Sequence, residues 1–102
     1  MNDKKKGTVM QFVRLKTTLT EEELLQVAHD RAPQFKAIPG IVQKYYVKLE
    51  APGEFGGVYI WDSHESLNEF RQSELAQTIG KAYKVIEPPS VEIIDILFEL
   101  RD

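Results

Sequence analysis

From Thr8 to Lys16 apolar residues fall on both parities, with Val9, Gln11, Val13 and Leu15 set against Met10, Phe12 and Arg14. A β-branched and aromatic run of this kind predicts a strand, and two largely apolar rows predict a strand covered on both faces. Gln11 is the polar exception in its row. It needs a hydrogen-bond partner if buried, or it lines a cavity. The pattern then changes period. Thr20 and Glu23 have the spacing of a capping box, and Leu24, Val27, Ala28, Arg31 and Phe35 recur as one helical stripe. Pro33 lacks an amide donor, so the helix is expected to end or kink near Arg31, with a further short turn up to Ala37. Pro39-Gly40 stops the helical pattern.

Gly40 to Glu50 alternates again, Ile41, Gln43, Tyr45, Val47 and Leu49 against Val42, Lys44, Tyr46 and Lys48. Ala51-Pro52-Gly53-Glu54 is turn chemistry, and Phe55 to Trp61 reads as a third strand forming a hairpin with the second. Asp62 or Ser63 caps the next helix, and Asp62 with Glu65 repeats the capping-box spacing. Leu67 and Phe70 supply that helix with an apolar face. A pause is expected near Ser73, then a second piece carrying Leu75, Ile79 and Tyr83 to about Lys84. Pro88-Pro89 forbids regular structure, and Val91 to Leu100 predicts the last strand. Its rows are Val91, Ile93, Leu97 and Ile94, Ile96, Phe98, Leu100, with Asp95 the polar exception.

Strand, helix, strand, strand, helix, strand is the order of a ferredoxin-like βαββαβ α+β fold with a four-stranded antiparallel sheet. One sheet face of such a domain meets the helices and the other meets water. Here the first and last strands are apolar on both faces, and no further element remains to cover the second one. A second copy of the sheet is the simplest cover, so the expectation is a homodimer in which two sheets form a barrel.

Composition narrows the partners. The chain has 102 residues, the size of one domain; residues 8–102 are expected to form it, and residues 1–7, with Lys4, Lys5 and Lys6, a disordered tail. A formal charge of -3 gives no reason to expect nucleic acid or an anionic membrane. The absence of cysteine removes disulfides, thiolate nucleophiles and sulfur-ligated metals. No apolar run approaches the roughly 18 residues of a membrane span, and no apolar signal core follows the first lysines. A cytoplasmic location is the resulting expectation.

At Gly56-Gly57-Val58-Tyr59-Ile60-Trp61, and at the Ser63-x-Glu65-Ser66 helix start that follows, the chain resembles the dimeric α+β barrel superfamily. Within it the chain looks most like the YdhR-type mono-oxygenases, which share a Gly-Gly-aliphatic-Tyr strand entering a helix. They also have an upstream Pro-Gly, matched here by Pro39-Gly40, and a final apolar strand, matched by Val91 to Leu100. The resemblance covers roughly Thr8 to Leu100. It implies a group that includes antibiotic-biosynthesis-type mono-oxygenases, which oxidise phenolic or quinol-like substrates with dioxygen and no metal or flavin. The superfamily also contains haem-degrading enzymes. Counting from Trp61, the positions of their helix tryptophan and axial histidine are Phe70 and Gly80 here, neither of which can ligate iron. No cofactor and no metal are therefore expected.

The candidate chemistry is small. Trp61, Tyr59, Tyr45, Phe70 and Tyr83 are the side chains that would stack on a flat aromatic substrate if a cavity opens beneath the helices. Gln11, Asn68 and Arg71 would be the polar groups that orient it. Trp61 is equally at home as core packing at a strand end, and Tyr45 and Tyr46 point to opposite faces, so only one can line the cavity. His64, in the first turn of a helix, is either an exposed flank residue or the base that takes a phenolic proton; Gln11 is the other candidate to assist deprotonation or hold a phenolate. Asp95 either pairs with a Lys or Arg across the dimer or is a functional acid. Arg31 either reaches a carboxylate such as Asp95 or extends to water. The reading is a cofactor-independent mono-oxygenase acting on a small aromatic compound. A non-catalytic ligand-binding or stress-related dimer is its alternative, and an isomerase using Asp95 and His64 the third possibility.

Overall fold

The computed structural model describes residues 6–101. Its elements are β1 (Val9–Lys16), α1 (Glu21–Lys36), β2 (Ile41–Lys48), β3 (Glu54–Trp61), α2 (His64–Gln72), α3 (Glu74–Gln77), α4 (Ile79–Ala82) and β4 (Ser90–Asp95). The strands form one antiparallel sheet in the order β2-β3-β1-β4, the ferredoxin-like arrangement. Of the expected tail, residues 1–5 lie outside the described residues; Lys6 is exposed and Gly7 is buried.

Local chemistry accounts for most element ends. Thr20 caps α1 with the full capping box: Glu23 N–H donates to Thr20 Oγ1 at 3.1 Å and Thr20 N–H to Glu23 Oε1 at 2.9 Å. Those bonds favour the ionised Glu23 and hold its carboxyl below the usual range. Ser63, not Asp62, caps α2 by accepting from Ser66 N–H at 3.1 Å. Asp62 Oδ1 instead accepts from the hydroxyls of Ser63 and Ser66, at 3.1 and 2.6 Å. Ser73 ends α2 and caps α3, the pause expected there.

Packing overrides local signals at three places. α1 continues through Pro33 to Lys36, so the helix does not end near Arg31 and the turn expected up to Ala37 belongs to it. Proline removes one helix hydrogen bond and crowds the carbonyl four residues earlier, while burial of Phe35, 3% exposed, holds the last turn against the sheet. In β2 a bulge between Ile41 and Gln43 shifts the register, so Lys44 and Tyr46 join the helix-facing side and Tyr45 turns to the other. β4 stops at Asp95, short of the expected Leu100. The ladder with β1 ends there: Ile96 N–H donates to Thr8 O at 2.9 Å, and Leu97, Phe98 and Leu100 beyond it are exposed at 93%, 74% and 85%.

The core lies between the sheet and the helices. Val9, Val13, Leu15, Phe55, Tyr59 and Trp61 of the strands meet Leu24, Ala28 and Phe35 of α1, Leu67 and Phe70 of α2, and Ile79 and Tyr83. Each Val, Leu, Ile or Phe among them contributes about 1.5–3 kcal/mol by leaving water. Gly40 lets α2 sit this close, because a Cβ there would overlap the Ser66 side chain. On the opposite sheet face Met10, Phe12, Val47, Val58 and Ile60 are half-buried, and Tyr45 and Ile94 are more open. Among the described residues no helix is long and apolar enough to cross a membrane.

Candidate active site

β1 is central, so its helix-facing residues see the most covered part of the interior. Gln11 is there, 2% exposed, between Tyr59 on β3 and Ile93 on β4. Its partner is Trp61, fully buried at the end of β3, whose Nε1–H donates to Gln11 Oε1 at 3.0 Å. An indole can only donate, so this bond fixes the orientation of the amide. Its oxygen is committed, and its NH2 group has no protein partner among the described residues. Gln11 lines a half-open cavity of about 290 Å³, together with Val13, Phe70, Arg71, Ile79 and Val91. That volume is at the lower end of small-molecule sites, about 300 Å³ upward. The site thus has two oriented donors on an apolar floor, with a guanidinium on its wall.

The aromatic side chains behind the floor stack on one another. Tyr59 and Trp61 lie parallel within 5° at 6.1 Å, and Phe70 meets Trp61 at 5.1 Å and Tyr59 at 5.4 Å. Of these, Phe70 reaches the cavity, while Trp61 acts through Gln11. Burial raises the Tyr59 phenol far above its ordinary range, so it stays neutral. Tyr83, pushed up to about 12 by burial, lies with Tyr59 around a separate void of about 20 Å³, room for roughly one water.

The remaining expected residues are placed differently. Tyr45 is on the far face of the sheet, 55% exposed, and does not line the cavity; the β2 bulge gives that side to Tyr46. Asn68 is exposed on α2. His64 and Asp95, thirty-one positions apart, meet at 2.6 Å and tie the start of α2 to the end of β4. An ionised carboxylate can only accept, so His64 donates from Nε2; in the neutral imidazole Nδ1 is then the acceptor. The pair is open to solvent, with side chains 57% and 70% exposed. Asp95 faces the same side as Ile93 and Gln11, one two-residue step, about 7 Å, along the strand. His64 is therefore at the rim of the α2–β4 seam, outside the cavity itself. Arg31 is half-buried and does not pair with Asp95: it donates to Leu75 O at 2.7 Å and Thr78 Oγ1 at 3.3 Å, while its Nε is buried without a partner. Among the described residues, no three His, Cys, Asp or Glu side chains converge as a metal site.

Sequence reasoning missed Lys44 and Tyr46, which the bulge turns under α1. Lys44 Nζ lies 3.5 Å from the Phe35 ring centre, 4.4 Å from Tyr46 and 4.5 Å from Tyr59. Burial, with the nearby Arg31 charge, lowers its amine from 10.5 to about 7. No periodicity signals a bulge, so only the register reveals this residue.

Fold and site together define a ferredoxin-like α+β protein with a helix-side cavity and no residues arranged to bind a metal among those described. The family model described as "Putative mono-oxygenase ydhR" matches residues 10–100, and the chain belongs to that family. No curated protein matches the sequence. Similar solved structures include a protein of unknown function, NE2512, from Nitrosomonas europaea, at 19% identity and TM-score 0.77, over 95% of this chain and 96% of that one. A putative antibiotic biosynthesis monooxygenase from Caulobacter crescentus aligns at 18% identity and TM-score 0.73, covering 90% of this chain and 92% of its own. SnoaB, a cofactor-independent oxygenase from Streptomyces nogalater, aligns at 13% identity and TM-score 0.73, covering 94% and 99%. At these identities the likeness is one of fold.

Proposed function

We propose that the chain is a cofactor-independent mono-oxygenase that oxidises a small phenol- or quinol-like aromatic compound in the Gln11 cavity. The observation that carries this reading is the Gln11 amide, fixed by Trp61 and presenting unpaired N–H donors to an apolar cavity. Donors held rigidly in place favour an oxyanion, since they need no reorganisation as charge develops. A phenolate or enolate oxygen placed on Gln11 Nε2 has its ring against Phe70 and Val91, with Arg71 adding positive charge. The desolvated anion passes an electron to dioxygen, and the radical pair combines at a ring carbon. Loss of water then leaves a carbonyl: a CH2 group and O2 become C=O and H2O, with the substrate supplying all the electrons. His64, held by Asp95 at the rim outside the cavity, takes the first proton through a bridging water in this reading.

The protein works as a homodimer in this reading. Support comes from the apolar sheet face carrying Met10, Phe12, Val58, Ile60 and Ile94, and from the exposed Leu97, Phe98 and Leu100 after β4. Such surfaces are expected to be covered by a second copy. Sedimentation at micromolar concentration tests this, and a monomer there refutes it.

Incubation with anthrone- or quinol-type compounds, in air and under nitrogen, tests the chemistry. A quinone product is expected only in air, at a rate reduced by Gln11→Leu. The same product profile in both atmospheres overturns the oxygenase reading. A compound that binds in the Gln11 cavity but is never turned over favours the non-catalytic ligand-binding alternative.

A further inference from the structure

Lys44 is unused by the reaction above, and its surroundings are unusual for a lysine. The side chain crosses Gly57, where a Cβ would come 3.3 Å from Lys44 Cε and 3.1 Å from Tyr59 Cε1, so glycine keeps its path clear. Its amine ends against three ring faces. Among the described residues it has no hydrogen bond and no ion pair. The charged groups around it are all positive or neutral. α1 brings Arg31 and Lys36, and the phenols of Tyr46, Tyr59 and Tyr83 are all raised by burial. Ring faces return part of the cost of desolvating a cation; a counter-ion would return more, and the described residues supply none.

Beside the amine is a second half-open cavity, of about 290 Å³, between α1 and β2. Ala32, Phe35, Ile41, Val42 and Tyr46 make its walls largely apolar, and Lys36 and Lys44 are its cations. It shares no lining residue with the Gln11 cavity.

We infer that this cavity is a second binding site, for a small carboxylate with an aromatic or otherwise apolar body. The carboxylate sits on Lys44 with Lys36 beside it, and the body lies against Ile41, Val42 and Tyr46. A neutral ligand leaves the amine without a counter-ion. A cation is repelled by Lys36, Lys44 and Arg31. An inorganic anion gains the charge contact but forgoes the apolar walls. Binding is coupled to a proton, because the anion favours the ammonium form of Lys44. Below about pH 7 the amine is already charged and affinity is flat; above it, each bound anion must bring a proton, and affinity falls.

The test uses the full chain and benzoate as probe, followed by amide NMR and by calorimetry in buffers of different ionisation heat. Expected are shifts centred on Phe35, Ile41, Val42 and Tyr46, and roughly fivefold weaker binding at about pH 8 than at about pH 7. Proton uptake accompanies binding at the higher pH. Lys44→Met weakens binding at least about tenfold, the loss of roughly one partly buried ion pair. Lys44→Arg keeps it and removes the pH dependence, because guanidinium stays charged. Several results overturn the proposal: no saturable binding, shifts centred on Gln11 and Val91, wild-type affinity in Lys44→Met, or a wild-type affinity indifferent to pH.

Discussion

Replacing Lys44 by Met is expected to stabilise the fold at about pH 6 and to lose that advantage as the pH rises. Met keeps the length of the side chain and removes only the charged end. In the unfolded chain the lysine amine titrates at 10.5; in the fold, burial and the Arg31 charge bring it to about 7. Between those values the unfolded chain holds a proton that the folded chain lacks. Wild-type stability therefore rises with pH across that window and carries the whole penalty below it. At about 1.4 kcal/mol per pH unit, the interval sets an upper limit of about 5 kcal/mol. Contacts with three ring faces favour the charged form by ~0.5–1 kcal/mol each, leaving about 2–3.5 kcal/mol. The Met thioether makes ring contacts of comparable size, so losing the ammonium–ring contacts adds little. Urea unfolding of both proteins at about pH 6, 8 and 10 measures the difference directly. The Lys44→Met midpoint is expected well above wild type at the lowest pH and close to it at the highest. A variant less stable than wild type near pH 6, or an offset equal at all three values, would refute the argument from burial.

Other substitutions probe other parts of the structure. Gln11→Leu strands the Trp61 indole N–H in the core, so it is expected to lower the unfolding free energy by about 1–3 kcal/mol; urea titration and oxygen-dependent turnover read its two effects separately. Thr20→Ala removes the side-chain half of the α1 capping box, the acceptor of Glu23 N–H, and is expected to cost about 1 kcal/mol, read from the same titration. Gly40→Ala drives a methyl into Ser66 and is expected to cost roughly 1–3 kcal/mol, with partial recovery in the double variant Gly40→Ala/Ser66→Gly. His64→Ala breaks a solvent-exposed pair and is expected to change stability by less than about 1 kcal/mol. If Nδ1 is the base, the same variant lowers kcat with little change in KM, and a turnover assay with unchanged kcat removes His64 from the mechanism.

How much of the molecule was legible in the chain follows the range of the forces involved. Hydrophobic period, the Thr20–Glu23 capping box, the Ala51–Glu54 turn and the Ser73 pause act over a few residues, and each appears in the structure where the sequence puts it. They are enough for the element order and hence the ferredoxin-like sheet. At Pro33 local chemistry left an end or a kink open, and the burial of Phe35 against the sheet decides that the helix goes on to Lys36. The end of β4 was misread: apolar alternation continues to Leu100, but a strand lasts only as long as its neighbour offers hydrogen bonds.

The candidate site depended more on the tertiary structure. Gln11 stood out as a polar residue in an apolar row, and the sequence alone could say that it needed a partner or a cavity. Packing gave it both: Trp61, fifty positions away, and the cavity under Phe70. His64 and Asp95 were each singled out from the sequence, but only the closing of α2 onto β4 makes them a pair. Lys44 shows the limit most plainly. One extra residue in β2, at the Ile41–Gln43 bulge, reverses the strand's parity, turning Tyr45 out and Lys44 in. Composition and periodicity are unchanged by that reversal. The chain alone determines which residues alternate, and contact with α1 and β3 decides which of the two rows is inside.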